Sequence, residues 1–406
     1  MLIEEYEYRN VPIPGGGYVT GFVYHEKEKG LLYLRTDIGG TYRWNPLKEE
    51  WNSLVDHVTM EDLRETFPVS IALCKNNPEK MFVASGTDDK NSLGCLSVSN
   101  NRGRTFIKKE MPMFVHGNLN GRGTDERLMV SEKTGKIYMA SQQDGLWESA
   151  DEGDSWKKVN GMKEKYLTFV SEVDGALLIG TAGVTTMSKN GVRGHGLYLS
   201  NDEGKTFEKV TYEENHTIPE VEYAGLVPHR WCRDEKYLYV TFACNGRHAY
   251  AGVNGFSCDG GSTIEGRVYR FEVQNENGKI YLTNPKDISP IKTQGILECG
   301  FGGINVAQTR PGMVCVATIC KDDGDCIFRS YDYGESWECI LKDLEIGKMN
   351  FHTSYMKPEY NGGRNIIHWL TDLKINPFDE NEMWFNTGTG VFRTRNLTQK
   401  EVVFLA

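Results

Sequence analysis

The sequence predicts an all-β fold, which we interpret as a single seven-bladed β-propeller with Asp-box hairpins spanning residues 1–406. Three observations support it. An eight-residue turn motif occurs four times, a longer unit around it returns seven times, and no long segment has a 3.6-residue hydrophobic period. The 44 glycines and 11% aromatic content are typical of many short strands and tight turns. Seven four-stranded blades that close into a ring would leave only short, protected sheet edges.

The turn motif has the order Ser-x-Asp/Asn-x-Gly-x-Thr/Ser-aromatic, which is the order of an Asp box. Its Asp or Asn side chain can accept hydrogen bonds from the amides of the turn, and its glycine can adopt a positive φ. We therefore interpret the copies as structural turns rather than as sites of chemistry. They begin at Ser99, Ser149, Ser200 and Ser330.

The repeating unit places three strands before the turn motif and one after it. Segments 30–51 and 135–156 align without a gap, and the same order of strands and turns recurs along the chain. The last unit has no obvious fourth strand. Residues 4–13 at the N-terminus or residues 400–406 at the C-terminus could supply it.

The gap-free alignment decides how "RTDIGGTYRW" (35–44), which looks like one more turn motif, is to be read. The motif aspartate Asp151 falls opposite Pro46, whereas Asp37 falls opposite Gln142. Asp37 therefore follows the second strand of the first blade, at the face opposite the turn motifs. Side chains at such strand ends converge on a funnel around the propeller axis, which is the usual ligand site of this fold.

Composition argues against several kinds of partner. The net charge of −10 is spread along the chain, which disfavours nucleic acid. No apolar stretch approaches the roughly 20 residues of a membrane span, so we expect no membrane partner. The first residues lack the basic and apolar regions of a secretory signal, which predicts a cytoplasmic location. The ten cysteines are then expected to be free thiols.

Three segments resemble glycoside hydrolase family 74, the xyloglucan-cleaving endoglucanases: "GGGYVTGFVYHEKEKGLLYLRTDIGGTYRWNPLKEEWNSLVD" (15–56), "GNLNGRGTDERLMVSEKTGKIYMASQQDGLWESADEGDSW" (117–156) and "LTDLKINPFDENEMWFNTGTGVFRT" (370–394). The resemblance implies an inverting hydrolase that acts on xyloglucan-related, plant-type sugars and needs no cofactor. It also implies that Asp37, in Arg-Thr-Asp-Ile-Gly-Gly, is one of two catalytic carboxylates. Family members have two tandem propellers, and the second aspartate belongs to the second one, whereas this sequence carries one set of units.

An inverting hydrolase needs an acid and a base about 6.5 to 9.5 Å apart. Asp372, at the start of the first strand of blade 7, is the favoured partner for Asp37, although it could instead bond the backbone of blade 1. A second propeller subunit, or another copy of this chain, is the alternative source. Arg35 lies on the strand face of Asp37, where we expect it to contact the substrate and to tune the carboxylate through its charge. Glu126 and Arg127 match the Gly-Glu-Arg of the family, where they could contact substrate or lock blade to blade.

Aromatic and histidine side chains complete the predicted substrate site. Trp231, Tyr355 and Trp369 could stack on sugar rings, and His352 and His368 lie among the funnel-side residues. The histidines at this face are also consistent with a polysaccharide lyase. Such an enzyme would use His, Tyr and Arg side chains or a bound metal. A non-catalytic carbohydrate-binding half of a split two-propeller enzyme is the other alternative. Long funnel-side insertions predict a walled pocket, and hence an exo-acting or oligosaccharide-trimming enzyme.

Overall fold

The computed structural model describes residues 16–87, 92–118, 121–182, 196–212, 226–245, 263–291, 299–319, 321, 324–341, 351–352, 367–388 and 390–405. Their strands form seven blades, six with four antiparallel strands and one with five strands, which confirms the predicted all-β propeller. A 3-10 turn at Arg64–Thr66 is the one helical segment in these ranges. Nowhere in them does a helix have the length and hydropathy needed to cross a membrane. Seven cysteines within the ranges are free thiols.

In blades 1 to 6 the chain begins at an inner strand next to the axis and proceeds outward, whereas in blade 7 a short strand at the outer edge, Phe351–His352, comes first. Blades 1 to 3 comprise β1 (Val19–Tyr24), β2 (Leu32–Thr36), β3 (Thr41–Asn45), β4 (Glu50–Ser53); β5 (Pro68–Leu73), β6 (Met81–Ser85), β7 (Leu93–Ser99), β8 (Ile107–Phe114); and β9 (Leu128–Val130), β10 (Ile137–Ala140), β11 (Leu146–Ser149), β12 (Lys157–Lys158). Blades 4 and 5 comprise β13 (Leu167–Val173), β14 (Ala176–Thr181), β15 (Gly196–Ser200), β16 (Glu208–Lys209); and β17 (Leu226–Arg233), β18 (Tyr237–Asn245), β19 (Thr263–Glu276), β20 (Lys279–Asp287). Blades 6 and 7 comprise β21 (Gly300–Val306), β22 (Val314–Ile319), β23 (Ile327–Ser330), β24 (Glu338–Cys339); and β25 (Phe351–His352), β26 (Leu373–Asn376), β27 (Asp379–Thr387), β28 (Gly390–Thr394), β29 (Phe404–Leu405).

The core is divided into seven main layers, one between each pair of neighbouring blades. Because a blade packs on both faces, its second strand is buried along its whole length, as β2, β6, β10 and β14 are. The layer between blades 7 and 1 closes the ring. There Trp384 of β27 packs edge-on against Trp44 and Trp51, with ring centroids 4.7 Å and 5.3 Å away.

The fourth strand of blade 7 comes from the C-terminal segment. β29 pairs with β28 through Leu405 and Arg393, so residues 400–406 supply the strand that the sequence left open. β25 adds a fifth strand, parallel to β29, which the sequence did not predict. The other candidate, residues 4–13, lies outside the described residues.

The four repeated turns adopt one hydrogen-bonded conformation. In the second, Asp151 Oδ1 accepts a hydrogen bond from the Ser155 amide at 2.8 Å, and the Ser149 hydroxyl accepts one from the Gly153 amide at 2.8 Å. The motif glycine has a φ between 80° and 90° in all four copies. The motif is therefore a structural turn, as interpreted from its sequence.

Candidate active site

The interior of the ring is crossed by residues 121–126, here called the central segment, which lead into β9. The Thr124 hydroxyl donates to the Thr168 carbonyl of blade 4 at 2.7 Å, and the Asp125 amide donates to the His229 carbonyl of blade 5 at 3.0 Å. Gly123 faces blade 7 so closely that a Cβ there would lie 2.8 Å from Thr371 Cγ2. Contacts with blades so far apart mean that this segment lies across the axis and forms the floor of the funnel.

Arg35 anchors the central segment to blade 1 and is fully buried. Its guanidinium donates to the carbonyls of Arg122 at 2.9 Å and Thr124 at 3.0 Å, and pairs with Glu126 at 2.9 Å. With its side chain enclosed, Arg35 is not positioned to contact a sugar in this structure. The expectation that Arg35 binds substrate is therefore not supported, and its place beside Asp37 is taken by another arginine.

Glu126 and Arg127 link blades to one another. Glu126 Oε2 accepts hydrogen bonds from the Ser70 hydroxyl and the Ile71 amide of blade 2, both at 2.6 Å. Arg127 is fully buried and donates to the Leu167 carbonyl at the start of blade 4. Of the two roles considered for this pair, the contacts correspond to locking the blades together.

Asp37 follows β2 at the face opposite the turn motifs, beside the exposed side chain of Ile38. Its Oδ1 accepts a hydrogen bond from the Tyr18 amide at 2.8 Å. The carboxylate is not tied into its own turn, because Thr36 closes that turn by accepting the Gly39 amide at 2.7 Å. The side chain is 9% exposed, so Asp37 is a sheltered carboxylate at the mouth of the funnel.

Arg122 is the cation next to Asp37, and sequence reasoning missed it. Its Nη1 lies 3.4 Å from Asp37 Oδ2, and its guanidinium also bonds Asn118. The guanidinium carbon lies 6.0 Å from the centre of the Tyr18 ring. The available signal was weak: an arginine between two glycines in "GRGTDER", within a segment that resembles family 74.

Asp372, the favoured second catalytic carboxylate, is fully buried. Its Oδ2 accepts the Phe22 amide of blade 1 at 2.8 Å, and its Oδ1 lies 3.1 Å from Arg230 Nη1. Burial raises the pKa of Asp372 in spite of the nearby positive charges of Arg230 and Lys374. This side chain bonds the backbone of the neighbouring blade, as in the alternative interpretation, and does not reach the funnel where a sugar would bind.

Asp125 of the central segment shares the same buried cations. It lies 3.6 Å from Arg230, and its Oδ2 accepts the Trp231 amide at 3.0 Å. Burial by itself would raise the pKa of Asp125, but Lys374, Arg230 and two backbone amides hold it below its usual value. The charges beneath the floor are thus compensated within the protein.

Trp369 and Tyr18 line the mouth next to Asp37. Their rings meet edge to face with centroids 5.7 Å apart, and the Tyr18 hydroxyl donates to the Trp369 carbonyl. His368 precedes Trp369 in the sequence, and the centroids of their two rings are 5.6 Å apart. Both His368 and Trp369 are partly exposed, and Tyr18 lies between Trp369 and Asp37.

Trp231 lies elsewhere. It belongs to β17, where it is partly buried against the layer between blades 4 and 5, so the expectation that it stacks on sugar is not supported. The backbone of His352 is in β25, but its side chain and the whole of Tyr355 lie outside the described residues. Across the described ranges, no group of three or more His, Cys, Asp or Glu side chains could hold a metal ion.

Comparison with solved structures finds two family 74 enzymes that are similar over almost the whole chain. It is similar to the crystal structure of the glycoside hydrolase family 74 xyloglucanase from Xanthomonas campestris, with 26% identity and a TM-score of 0.77, over 99% of this chain and 56% of that one. The family 74 enzyme of Niastella koreensis shares the fold, with a TM-score of 0.75 and 22% identity, over 98% of this chain and 55% of that one.

Sequence comparison with curated proteins agrees. A xyloglucanase of a Paenibacillus species is 30% identical over 97% of this chain, and an oligoxyloglucan-reducing end-specific xyloglucanase of Emericella nidulans is 27% identical over 97%. The chain spans 39% and 52% of the length of these two relatives. No protein-family model matches the chain.

Proposed function

We propose that this chain, a homologue of the xyloglucanases of glycoside hydrolase family 74, takes part in hydrolysing xyloglucan oligosaccharides, with Asp37 as a catalytic acid or base. The observation that carries the proposal is the position of Asp37. The carboxylate that matches the catalytic aspartate of the family lies at the funnel mouth, outside its own turn and beside partly exposed aromatic residues. Because the chain spans about half of its relatives, the proposal concerns the part of the site that this chain builds.

The chemistry requires a second carboxylate. Glycoside hydrolysis with inversion uses one group to protonate the leaving oxygen and another to activate water, about 6.5 to 9.5 Å apart. Asp372 is fully buried and holds the Phe22 amide, so we assign it a structural role. We propose that the second group comes from outside the described residues, in this chain or in a second propeller subunit or copy that faces the funnel. No cofactor is needed for this reaction.

Trimming of oligosaccharides is the mode of action that we favour. The central segment gives the funnel a floor, which suits an oligosaccharide end better than a chain passing through the ring. The name of the Emericella nidulans relative specifies action at the reducing end of oligoxyloglucans. Trp369 and Tyr18, beside Asp37, would provide the apolar surface against which a sugar ring packs.

The test is a screen of xyloglucan oligosaccharides with the wild type and Asp37→Asn, a change that keeps the shape of the side chain and removes the ionisable group. We expect hydrolysis by the wild type and a loss of at least about 100-fold in kcat in the variant, because general acid–base catalysis contributes about 10² to 10⁴-fold. Asp154→Asn is the matched control, since it neutralises an exposed aspartate whose side chain is 71% accessible in a turn on the opposite face.

Each outcome discriminates between functions. Hydrolysis that Asp37→Asn retains would remove Asp37 from the mechanism. If the wild type binds the sugars without cleaving them until a second propeller is added, the chain is the carbohydrate-binding half of a split enzyme. Formation of an ultraviolet-absorbing unsaturated uronate from acidic polysaccharides would instead identify a lyase.

A further inference from the structure

We propose that Arg122 is a positioning residue for Asp37, holding the carboxylate in the orientation that the reaction requires. The inference rests on the proposed catalytic role of Asp37. The proposed role involves a residue outside the sequence motif around Asp37. Arg122 belongs to the central segment, which leads into blade 3, whereas Asp37 belongs to blade 1.

The two carboxylate oxygens of Asp37 have different partners. Oδ1 is held by the Tyr18 amide at 2.8 Å, which fixes one side of the carboxylate. Oδ2 lies 3.4 Å from Arg122 Nη1, so it is the oxygen directed toward the guanidinium. A carboxylate held at both oxygens keeps a single orientation, whereas one held only at Oδ1 could rotate.

The surroundings of Arg122 fit a positioning role. Its side chain is 17% exposed, so the interaction with Asp37 is partly shielded from solvent. The same guanidinium bonds Asn118, which limits its movement. A planar guanidinium with five donors can serve both partners at once, which the point charge of a lysine does less well.

The end of β2 and the central segment each contact the other through an arginine side chain. Arg35 of β2 donates from its guanidinium to the Arg122 carbonyl at 2.9 Å, and Arg122 in turn reaches Asp37, two residues beyond Arg35. The backbone that carries Arg122 is thus anchored by the strand that carries Asp37. A displacement of the central segment would therefore shift the guanidinium relative to the carboxylate.

The experiment compares Arg122→Ala and Arg122→Lys with wild type on the same xyloglucan oligosaccharides. We expect Arg122→Ala to lower kcat about 10- to 100-fold with KM changed less than about threefold, because a misplacement of about 1 Å at a reacting group can cost 10²-fold. Arg122→Lys should recover part of kcat. Added guanidinium ion should raise the activity of Arg122→Ala and leave Asp37→Asn unchanged.

Arg104→Ala is the matched control, because Arg104 is an exposed arginine in a turn on the opposite face. Its kcat should equal that of wild type. If Arg122→Ala keeps wild-type kcat while Asp37→Asn is inactive, the role of Arg122 is wrong and the proposed function stands. Equal losses in Arg122→Ala and Arg122→Lys, with lower thermal stability and no response to guanidinium, would show a purely structural arginine. If the wild type does not hydrolyse the sugars, or Asp37→Asn does so normally, the proposed function fails and this inference fails with it.

Discussion

At the scale of single residues, Trp369 is under backbone strain at the mouth of the funnel. Its φ is 59°, in the left-handed region that costs a non-glycine residue about 1 to 3 kcal/mol. The strained turn is held by the Tyr18 hydroxyl on the Trp369 carbonyl and by the Gly388 amide on the His368 carbonyl at 2.8 Å. A glycine would adopt this backbone conformation without strain. We therefore infer that a tryptophan occupies the position because its indole ring has a function at the mouth of the funnel.

The variant Trp369→Gly removes the indole ring but keeps a residue that suits the backbone conformation, so it tests the ring alone. We expect KM for xyloglucan oligosaccharides to rise about tenfold, equivalent to roughly 1.4 kcal/mol of lost binding, because the aromatic surface is removed. Trp369→Phe should keep most of the affinity. Steady-state kinetics measure both, with thermal unfolding recorded alongside. An unchanged KM in Trp369→Gly would exclude contact between this ring and the substrate.

At the scale of structural elements, buried arginines connect blades 1, 3 and 5 to the central segment. Arg35, Arg127 and Arg230 are all fully buried, and each donates to backbone carbonyls outside its own blade or in the central segment. Because a guanidinium has five donors in fixed directions, it can join several carbonyls at once. These residues therefore determine where the floor of the funnel lies.

The turn motifs are elements whose stability depends on pH. Hydrogen bonds from Ser155 and Ser149 lower the pKa of Asp151 to about 2. Burial opposes ionisation of Asp202, but hydrogen bonds led by those of Thr206 still hold its pKa at about 2. The pKa of Asp332 is also lowered, by Ser336 and Ser330 against the effect of burial. A carboxyl whose pKa is depressed by folding stabilises the protein above its unfolded pKa and loses that contribution as pH falls through its folded pKa.

Replacing Asp151, Asp202 and Asp332 together by Asn should therefore reduce the loss of stability between about pH 4 and pH 2. The turn at Ser99 already carries Asn101 at the same position, with the Thr105 amide 2.9 Å from its Oδ1, which indicates that the turn tolerates the amide. Urea unfolding at pH 6 and pH 3 gives the two free energies. Asp154→Asn again serves as control, and an equal acid loss in the triple variant and wild type would contradict the prediction.

At the scale of the whole molecule, the ring is completed by the end of the chain. Phe404 of β29 is fully buried in the layer between blades 6 and 7, and its ring lies 5.1 Å from that of Phe385. Blade 7 also contacts blade 1 through Trp384 and through the bond from the Phe22 amide to Asp372. The C-terminal strand therefore supports the blade that joins the two ends of the ring.

Phe404→Ala should lower the free energy of unfolding by about 3 to 5 kcal/mol, since it removes a buried aromatic ring and leaves a cavity. Leu405→Ala is the matched control one residue away, because Leu405 is 47% exposed and its truncation should change stability by about 0.5 kcal/mol or less. Denaturant unfolding measures both. If Phe404→Ala lowers the free energy of unfolding as little as Leu405→Ala does, β29 contributes little to closure of the ring.

The propeller, the four structural turns and the placement of Asp37 away from those turns could all be predicted from the repeats in the chain. These features repeat along the chain and depend on local chemistry: strand alternation, a glycine with positive φ, and an Asp or Asn side chain that bonds its own turn. Repetition made the register readable, because Asp37 and Asp151 could be compared within one alignment.

Which strand ends meet could be learned from the tertiary structure alone. It buried Asp372 against blade 1, directed Arg35 into the ring, placed Trp231 between blades, and brought Arg122 to Asp37. None of these contacts follows from periodicity, because they depend on how separate blades pack, and those of Arg35 and Arg122 depend on the path of the central segment across the axis. That path is set by hydrogen bonds to blades far apart in sequence, and it is what determines the surroundings of Asp37.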